Sequence, residues 1–339
     1  MELELVLGKT VSGTPLIWRN PANGHMLLTG ASGNGKSFLI KLTVPQLPGQ
    51  GICCIIFDCS GDFLSETPGG PPGWKDAQTQ VINVRDPSVR IEPFLPIHGD
   101  ETPAEIADRL SDTLRTGLKL GDSQWASLST LIADGLRSGD MHTFDDLVSR
   151  AADEAAENDA VKRLLPKLKK LNNTLPKGDT PLHWDLSKPG ITVLDLHRIS
   201  DPAAQAILIE LLLGGICSGR FAALPSQAHP VVLVFDECQR INLRGSSYAA
   251  RILREGRKFG LNGWFSTQWV SNAEERKALE QAALRIIFRP NQSDLHRTVL
   301  SLGLKNRNQI PHYEARIASF RPGEFLYRDG TKICFNYPY

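Results

Sequence analysis

Apolar residues gather in short runs along this chain, and each run stops at a glycine or a polar side chain. Gly51 to Asp58, Gly190 to Leu196 and Pro230 to Asp236 are nearly continuous runs, the pattern of strands buried on both faces of a parallel sheet. His25 to Gly30, Gln80 to Val84, Leu261 to Thr267 and Leu284 to Phe288 read as further strands, with a closing pair at 324–328 and 332–336. Leu3 to Leu7 and Pro15 to Trp18 flank Gly8 and a Ser12-Gly13-Thr14 turn, which predicts a small hairpin serving as a lid or edge. Helical periods take over between 100 and 175. There Thr102-Pro103-Ala104-Glu105 has the form of a capping box with proline in the first turn, opening a helix toward Leu120. Ser123 to Ser138, Thr143 to Asn158 and Ala160 to Asn172 follow as helices, the last expected to be interrupted at Pro166. Ser200-Asp201-Pro202 caps a helix from Ala203 to Arg220, and Ser247 to Phe259 and Asn272 to Gln281 are helical as well. Ser60 to Trp74, rich in glycine and proline, has loop chemistry.

Strands alternating with helices predict an α/β chain with a mostly parallel sheet covered on both faces. The segments divide as an N-terminal hairpin over 1–24, a first part of the core over 25–99, an inserted helical subdomain over 100–175 and a second part of the core over 176–339. Composition narrows the function only a little. Among 339 residues, 38 basic side chains face 37 acidic ones, a net charge of +1. Bulk basicity is therefore absent, and any nucleic-acid contact must be a local patch or a pore lining assembled from several subunits. Cysteines at 53, 54, 59, 217, 238 and 334 follow no regular spacing and sit mostly in apolar runs, as reduced, buried hydrophobes do. With no secretory leader pattern and no run of membrane-spanning length, the expectation is a cytoplasmic protein without direct membrane insertion.

The chemistry centres on Gly30-Ala31-Ser32-Gly33-Asn34-Gly35-Lys36-Ser37, followed by Phe38 in the next helix. The stretch matches G-x-x-x-x-G-K-[ST] between a strand and a helix. In that context glycines curl the backbone with its N–H groups inward and the helix N-terminus adds positive potential. Lys36 is the candidate ligand of the β/γ-phosphates, and Ser37 of Mg²⁺. Asp236 and Glu237 end the buried strand from Val231: Asp236 is the candidate metal-side acid and Glu237 the candidate base, the structural alternative being a carboxylate that caps the next helix. Thr267 or Gln268, at the end of the Leu261 strand, is placed to touch the γ-phosphate or its attacking water, or else to satisfy nearby backbone. Arg251, Arg254, Arg257 and Lys258 lie between these two strands, either as a solvated face or as a source of an arginine donated to a neighbouring subunit. Arg240 and Arg244, straight after the acidic pair, suit DNA phosphates or bulk solvent equally. The 60–74 loop is a second pore-loop candidate, its low charge favouring a plain surface loop.

These pieces in this order resemble the HerA/FtsK superfamily of ring-forming P-loop ATPases, which includes DNA translocases and relatives in conjugation and viral DNA packaging. The carriers are HMLLTGASGNGKS at 25–37, IIFDCSGDF at 55–63, IEPF at 91–94, ITVLDL at 191–196, VLVFDE at 232–237, GRKFGLNGWFSTQ at 256–268 and RPGEF at 321–325. The resemblance implies a RecA-like core, a hexameric ring, and hydrolysis of Mg²⁺-ATP coupled to passage of double-stranded DNA through the pore. It implies that Lys36 and Ser37 bind nucleotide and metal, that Asp236 and Glu237 drive hydrolysis, and that Gln268 senses the phosphate. Arg257 would act in the neighbouring site, with Arg251 and Arg254 as substitutes. Only a hairpin precedes the phosphate loop and no winged-helix reader follows the core, so a partner nuclease or a secretion or membrane component is expected on another chain or to be absent. Two other functions fit the same residues: a secretion or conjugation motor for protein or nucleoprotein, and a nucleotide-gated ring that activates a partner in a defence or mobile-element system.

Overall fold

The continuous apolar runs are continuous because their side chains alternate between two separate cores. Along the strand Cys53–Asp58, Ile55 and Phe57 enter one core while Cys54 and Ile56 enter the other, so six successive residues are buried. The computed structural model describes residues 3–10, 12–20, 23–64, 70–97, 100–222, 229–245, 247–268, 273–304, 306–330 and 332–337. In chain order, β1 (Leu3–Thr10) and β2 (Pro15–Asn20) form the hairpin, and β3 (Met26–Thr29) leads through the glycine loop into α1 (Lys36–Thr43). β4 (Cys53–Asp58), α2 (Trp74–Ala77), β5 (Gln80–Asn83) and β6 (Val89–Arg90) precede four helices, α3 (Pro103–Leu118), α4 (Asp122–Ser138), α5 (Phe144–Glu154) and α6 (Asp159–Asn172). β7 (Thr180–Pro181), β8 (Gly190–Asp195), α7 (Pro202–Ala222), β9 (Val231–Phe235), α8 (Tyr248–Glu255) and β10 (Leu261–Thr267) come next. The chain closes with α9 (Ala273–Leu279), β11 (Leu284–Phe288), α10 (Leu295–Ser301), α11 (Ile310–Ala318), β12 (Phe325–Asp329) and β13 (Lys332–Tyr337).

Among the described residues the main sheet has eleven strands in the order β2-β1-β13-β12-β11-β3-β10-β9-β4-β8-β5. From β11 to β5 every pairing is parallel, whereas β12, β13, β1 and β2 add on antiparallel. β3 therefore lies inside the parallel part, between β10 and β11. Phe57, Phe235 and Phe265 stack across β4, β9 and β10 at centroid distances of 5.1 and 4.8 Å, which keeps the carboxyl ends of these strands level. The predicted hairpin is an edge of the sheet. Gln46 and Gln50, beyond α1, clamp it by hydrogen-bonding the backbone of Val6 and Glu4 at 2.7–3.0 Å.

The capping box at Thr102 and Glu105 is formed, and Thr143 with Asp146 makes a second one ahead of α5. Pro166, however, does not interrupt its helix: α6 runs from Asp159 to Asn172 with the proline inside. A proline within a helix costs about 3 kcal/mol. Leu164, Leu168 and Leu171 on the same helix are buried, and at about 1.5–3 kcal/mol each they outweigh it. The 247–259 helix is shorter than expected, ending at Glu255 in a 3-10 turn over Gly256–Phe259. α10 and α11 fall in a stretch for which the sequence predicts no element, and they pack on Ile287 and Leu326 as a small third core. All six cysteines are free thiols. Among the described residues no helix is long and apolar enough to cross a membrane.

Candidate nucleotide-hydrolysis site

The glycine loop lies at the carboxyl end of β3, inside the parallel part of the sheet, where such folds bind ligands. Gly30 has φ 149°, and a Cβ there would come 2.7 Å from that of Phe288 on β11. Gly35, at φ 106°, lets the backbone of Gly323 approach to 3.2 Å of where its own Cβ would be. Gly323 N donates to Asn34 O at 2.9 Å, so the RPGEF segment, to which sequence reasoning gives no role, seals one side of the loop. Lys36 Nζ donates to the Gly30 and Ala31 carbonyls at 2.8 and 3.1 Å. Burial draws its ammonium below the ordinary lysine value, against the pull of Asp236, Glu237 and Asp62.

Strands β4 and β9 supply the acids. Asp58, fully buried, turns back and accepts from the N–H groups of Ser60, Gly61 and Phe63 at 3.3, 2.8 and 2.9 Å. That turn aims two groups at the site: Ser60 Oγ donates to Asp236 Oδ2 at 2.5 Å, and Asp62 Oδ2 accepts from Ser37 Oγ at 2.9 Å. Burial, with Asp58, Asp62 and Glu237 close by, pushes the Asp236 carboxyl up to about 7 despite the Ser60 hydrogen bond. Glu237 follows in the left-handed region at φ 54°, a conformation costing a non-glycine residue about 1–2 kcal/mol. Lys41, a turn along α1 and 4% exposed, faces the same acids, and burial lowers its value too.

Ser32, Gly33, Gly35, Lys36, Ser37, Phe38, Lys41, Asp62, Asp236, Glu237, Thr267 and Gln268 all line one cavity of about 260 Å³. Thr267 donates to Gln239 Oε1 at 3.1 Å, bracing the turn after Glu237, while Gln268 is exposed at the mouth. Asp62 and Lys41 are the members that sequence reasoning missed; the available signal was the S-G-D-F continuation of the β4 run. The chemistry of this set fits Mg²⁺. Ser37, Asp62 and Asp236 offer hard oxygen donors, and Asp236, raised first by burial and then by neighbouring carboxylates, stands where a divalent cation would neutralise that charge. Among the described residues no three His, Cys, Asp or Glu side chains make a closed metal site, so phosphate oxygens and water would complete the shell.

The arginines separate clearly. Arg240 pairs with Glu237 at 2.6 Å and Arg244 with Glu275 at 2.9 Å, both within the chain. Arg251 stacks on Phe221, 3.9 Å from its ring centre, and Arg254 Nη1 donates to Gly245 O at 2.8 Å. Arg257 is exposed, and its side chain makes no hydrogen bond or ion pair among the described residues. It precedes β10, whereas the phosphate loop lies beyond the far end of that seven-residue strand, a separation of about 20 Å. No arginine side chain spans that gap to its own loop. Of the 60–74 pore-loop candidate, 65–69 lie outside the described residues, and 60–64 turn toward the cavity that Asp62 lines.

Comparison with known proteins bears on the fold and the family. Among solved structures the chain is similar to VirB4 of Thermoanaerobacter pseudethanolicus, at 18% identity and TM-score 0.78 over 99% of this chain and 96% of that one. It is also similar to the plasmid coupling protein TrwB in complex with ADP and Mg²⁺, at 17% identity and TM-score 0.65, and in complex with the ATP analogue ADPNP, at 16% and 0.67. Each TrwB comparison covers 98% of this chain and 89% of that one. At these identities the likeness shows the fold alone, a RecA-like α/β core with a mostly parallel sheet. No curated protein matches the chain. A family model described as the central domain of the helicase HerA matches residues 12–216, more than half of the 339 residues, and the chain belongs to that family.

Proposed function

We propose that the chain is an Mg²⁺-dependent ATPase whose sites are completed between neighbouring copies of a ring, a hexamer by family resemblance, and that hydrolysis there moves double-stranded DNA. The observation that carries this reading is the division of the catalytic set. Residues suited to holding a triphosphate line one cavity, while Arg257, whose side chain has no hydrogen-bond or ion-pair partner among the described residues, stands at the opposite end of the sheet.

In this reading the loop amides and Lys36 hold the β- and γ-phosphates, Lys36 exchanging its carbonyl partners for phosphate oxygens. Ser37 and Asp236, with Asp62 beside them, would hold Mg²⁺, which neutralises phosphate charge as a Lewis acid. Glu237 orients the attacking water and accepts its proton, and Gln268 contacts the γ-phosphate or that water. Arg257 of an adjoining copy neutralises charge on the transferring phosphoryl group, a contribution of about 10³–10⁵ in rate for such arginines. ATP turnover and mass, each measured with and without duplex DNA, test the whole. Glu237→Gln is expected to lower kcat at least about 10²-fold while ADP still binds. A single-copy protein hydrolysing ATP at full rate after Arg257→Ala would end the reading.

One observation favours a protein or nucleoprotein substrate instead: Arg240 and Arg244 are both engaged within the chain. Salt separates the two readings. Binding of duplex DNA weakens steeply with added salt through counterion release, and docking of a protein much less so.

A further inference from the structure

The carboxylate assigned as the hydrolytic base is the first link of a bonded chain that runs along the carboxyl ends of the strands and returns to the same site. Arg240 Nε lies 2.6 Å from Glu237 Oε2. The same guanidinium donates through Nη1 to Gln205 Oε1 at 3.1 Å. Gln205, on α7, is completely buried, and its Nε2 donates to Leu196 O at 3.0 Å. Leu196 N in turn donates to Asp58 O at 2.9 Å, and Asp58 shapes the turn that carries Ser60 and Asp62.

Resting on the reading of Glu237 as the base, we infer that Arg240 and Gln205 are positioning residues for Glu237. Glu237 starts from a left-handed backbone position at the end of β9, and the 3-10 turn Cys238–Arg240 that follows brings the guanidinium back over it. One carboxylate oxygen is held, which leaves the other for water. The fork geometry matters: Nε serves the carboxylate while Nη1 serves the amide, two directions that a single ammonium cannot cover equally well. Gln205 is neutral, so it fixes the guanidinium without competing for its charge, and its burial gives the brace a rigid foot. An attacking water must be placed within about an ångström, and loss of that placement costs on the order of 10²-fold in rate. Arg240 is thereby a support for catalysis and not a phosphate contact.

Steady-state ATP hydrolysis by the assembled protein tests this, with ADP affinity and thermal melting as controls of folding. Arg240→Ala is expected to lower kcat about 10- to 100-fold with little change in KM, and Arg240→Lys to fall between it and the parent. Gln205→Leu, remote from the nucleotide, should lower kcat in the same sense. The double variant should be no worse than Arg240→Ala alone, and Arg240→Ala should cost nothing further in a Glu237→Gln background. Gln205→Glu, of nearly the same shape, serves if the leucine variant melts early, and it should lower kcat by drawing the guanidinium from Glu237. Unchanged kcat after Arg240→Ala, a change in KM alone, losses that multiply in the double variant, or a loss confined to DNA stimulation would each overturn the inference. Turnover that survives Glu237→Gln would instead overturn the assignment of the base.

Discussion

Asp62 and Asp58 lie four positions apart, and their surroundings give them opposite tasks. Asp58 is consumed by three backbone N–H groups, whereas Asp62 meets the Ser37 hydroxyl in the cavity, where the proposed Mg²⁺ would sit. Asp62→Asn keeps a hydrogen-bond acceptor and removes a charge, so the Mg²⁺ concentration for half-maximal ATP turnover should rise several-fold, on the order of 10-fold, read from a Mg²⁺ titration. Glu210 has a different fate. One oxygen accepts from Tyr248 N at 2.9 Å, and the other has no partner among the described residues. Burial pushes its carboxyl from 4.5 up to about 7. The folded state thus binds this proton more tightly than the unfolded chain does. The group's contribution is intact below about 4.5 and is lost as pH rises through about 7, by at most about 3 kcal/mol. Glu210→Gln should therefore melt later than the parent at pH 8, and the difference should close toward pH 5. At this scale the sequence reveals the glycine loop and the Asp236-Glu237 pair because each signal is contiguous. Asp62, Lys41 and the Arg240 brace depend on how a turn folds back, which residue spacing does not encode.

At the scale of elements, the buried parallel strands are legible because both of their faces are apolar, and the Thr102–Glu105 capping box because its partners sit three residues apart. Pro166 misleads for the converse reason. Its penalty is local, while the burial of Leu164, Leu168 and Leu171 that overrides it is tertiary. Pro166→Ala restores a helical N–H and removes a ring clash, but it also frees the unfolded chain, worth about 0.4–1 kcal/mol the other way. The net expectation is a gain of roughly 1–2 kcal/mol in denaturant unfolding, provided the exposed position tolerates alanine as helix surfaces usually do. α10 and α11, with seven and nine residues, are too short for their periods to stand out. What makes them helices is the apolar floor formed by Ile287 and Leu326.

At the scale of the molecule, the sheet is completed by the two ends of the sequence: β1 pairs with β13 through Lys9 with Tyr337 and Thr10 with Asn336. No local pattern announces a partner more than three hundred positions away, and so the hairpin is predictable as an edge while its neighbour is not. The α/β class and the mostly parallel sheet are predictable, since they follow from the alternation of strands and helices.

The position of Arg257 gives the molecule a direction. With the glycine loop above β3 and this cation below β10, a copy in the proposed ring would offer a socket at one end of its sheet and a plug at the other. If plug enters socket, contacts run head to tail, and only a closed circle leaves neither a bare socket nor an idle plug. Defects should then be shared out unevenly. Lys36→Ala spoils its own socket but still lends its plug, and Arg257→Ala does the reverse. Two preparations that are each silent should wake when mixed and reassembled, to about a quarter of full ATP turnover if assembly is random. A mixture that stays silent would mean that Arg257 does not serve a neighbouring copy's socket.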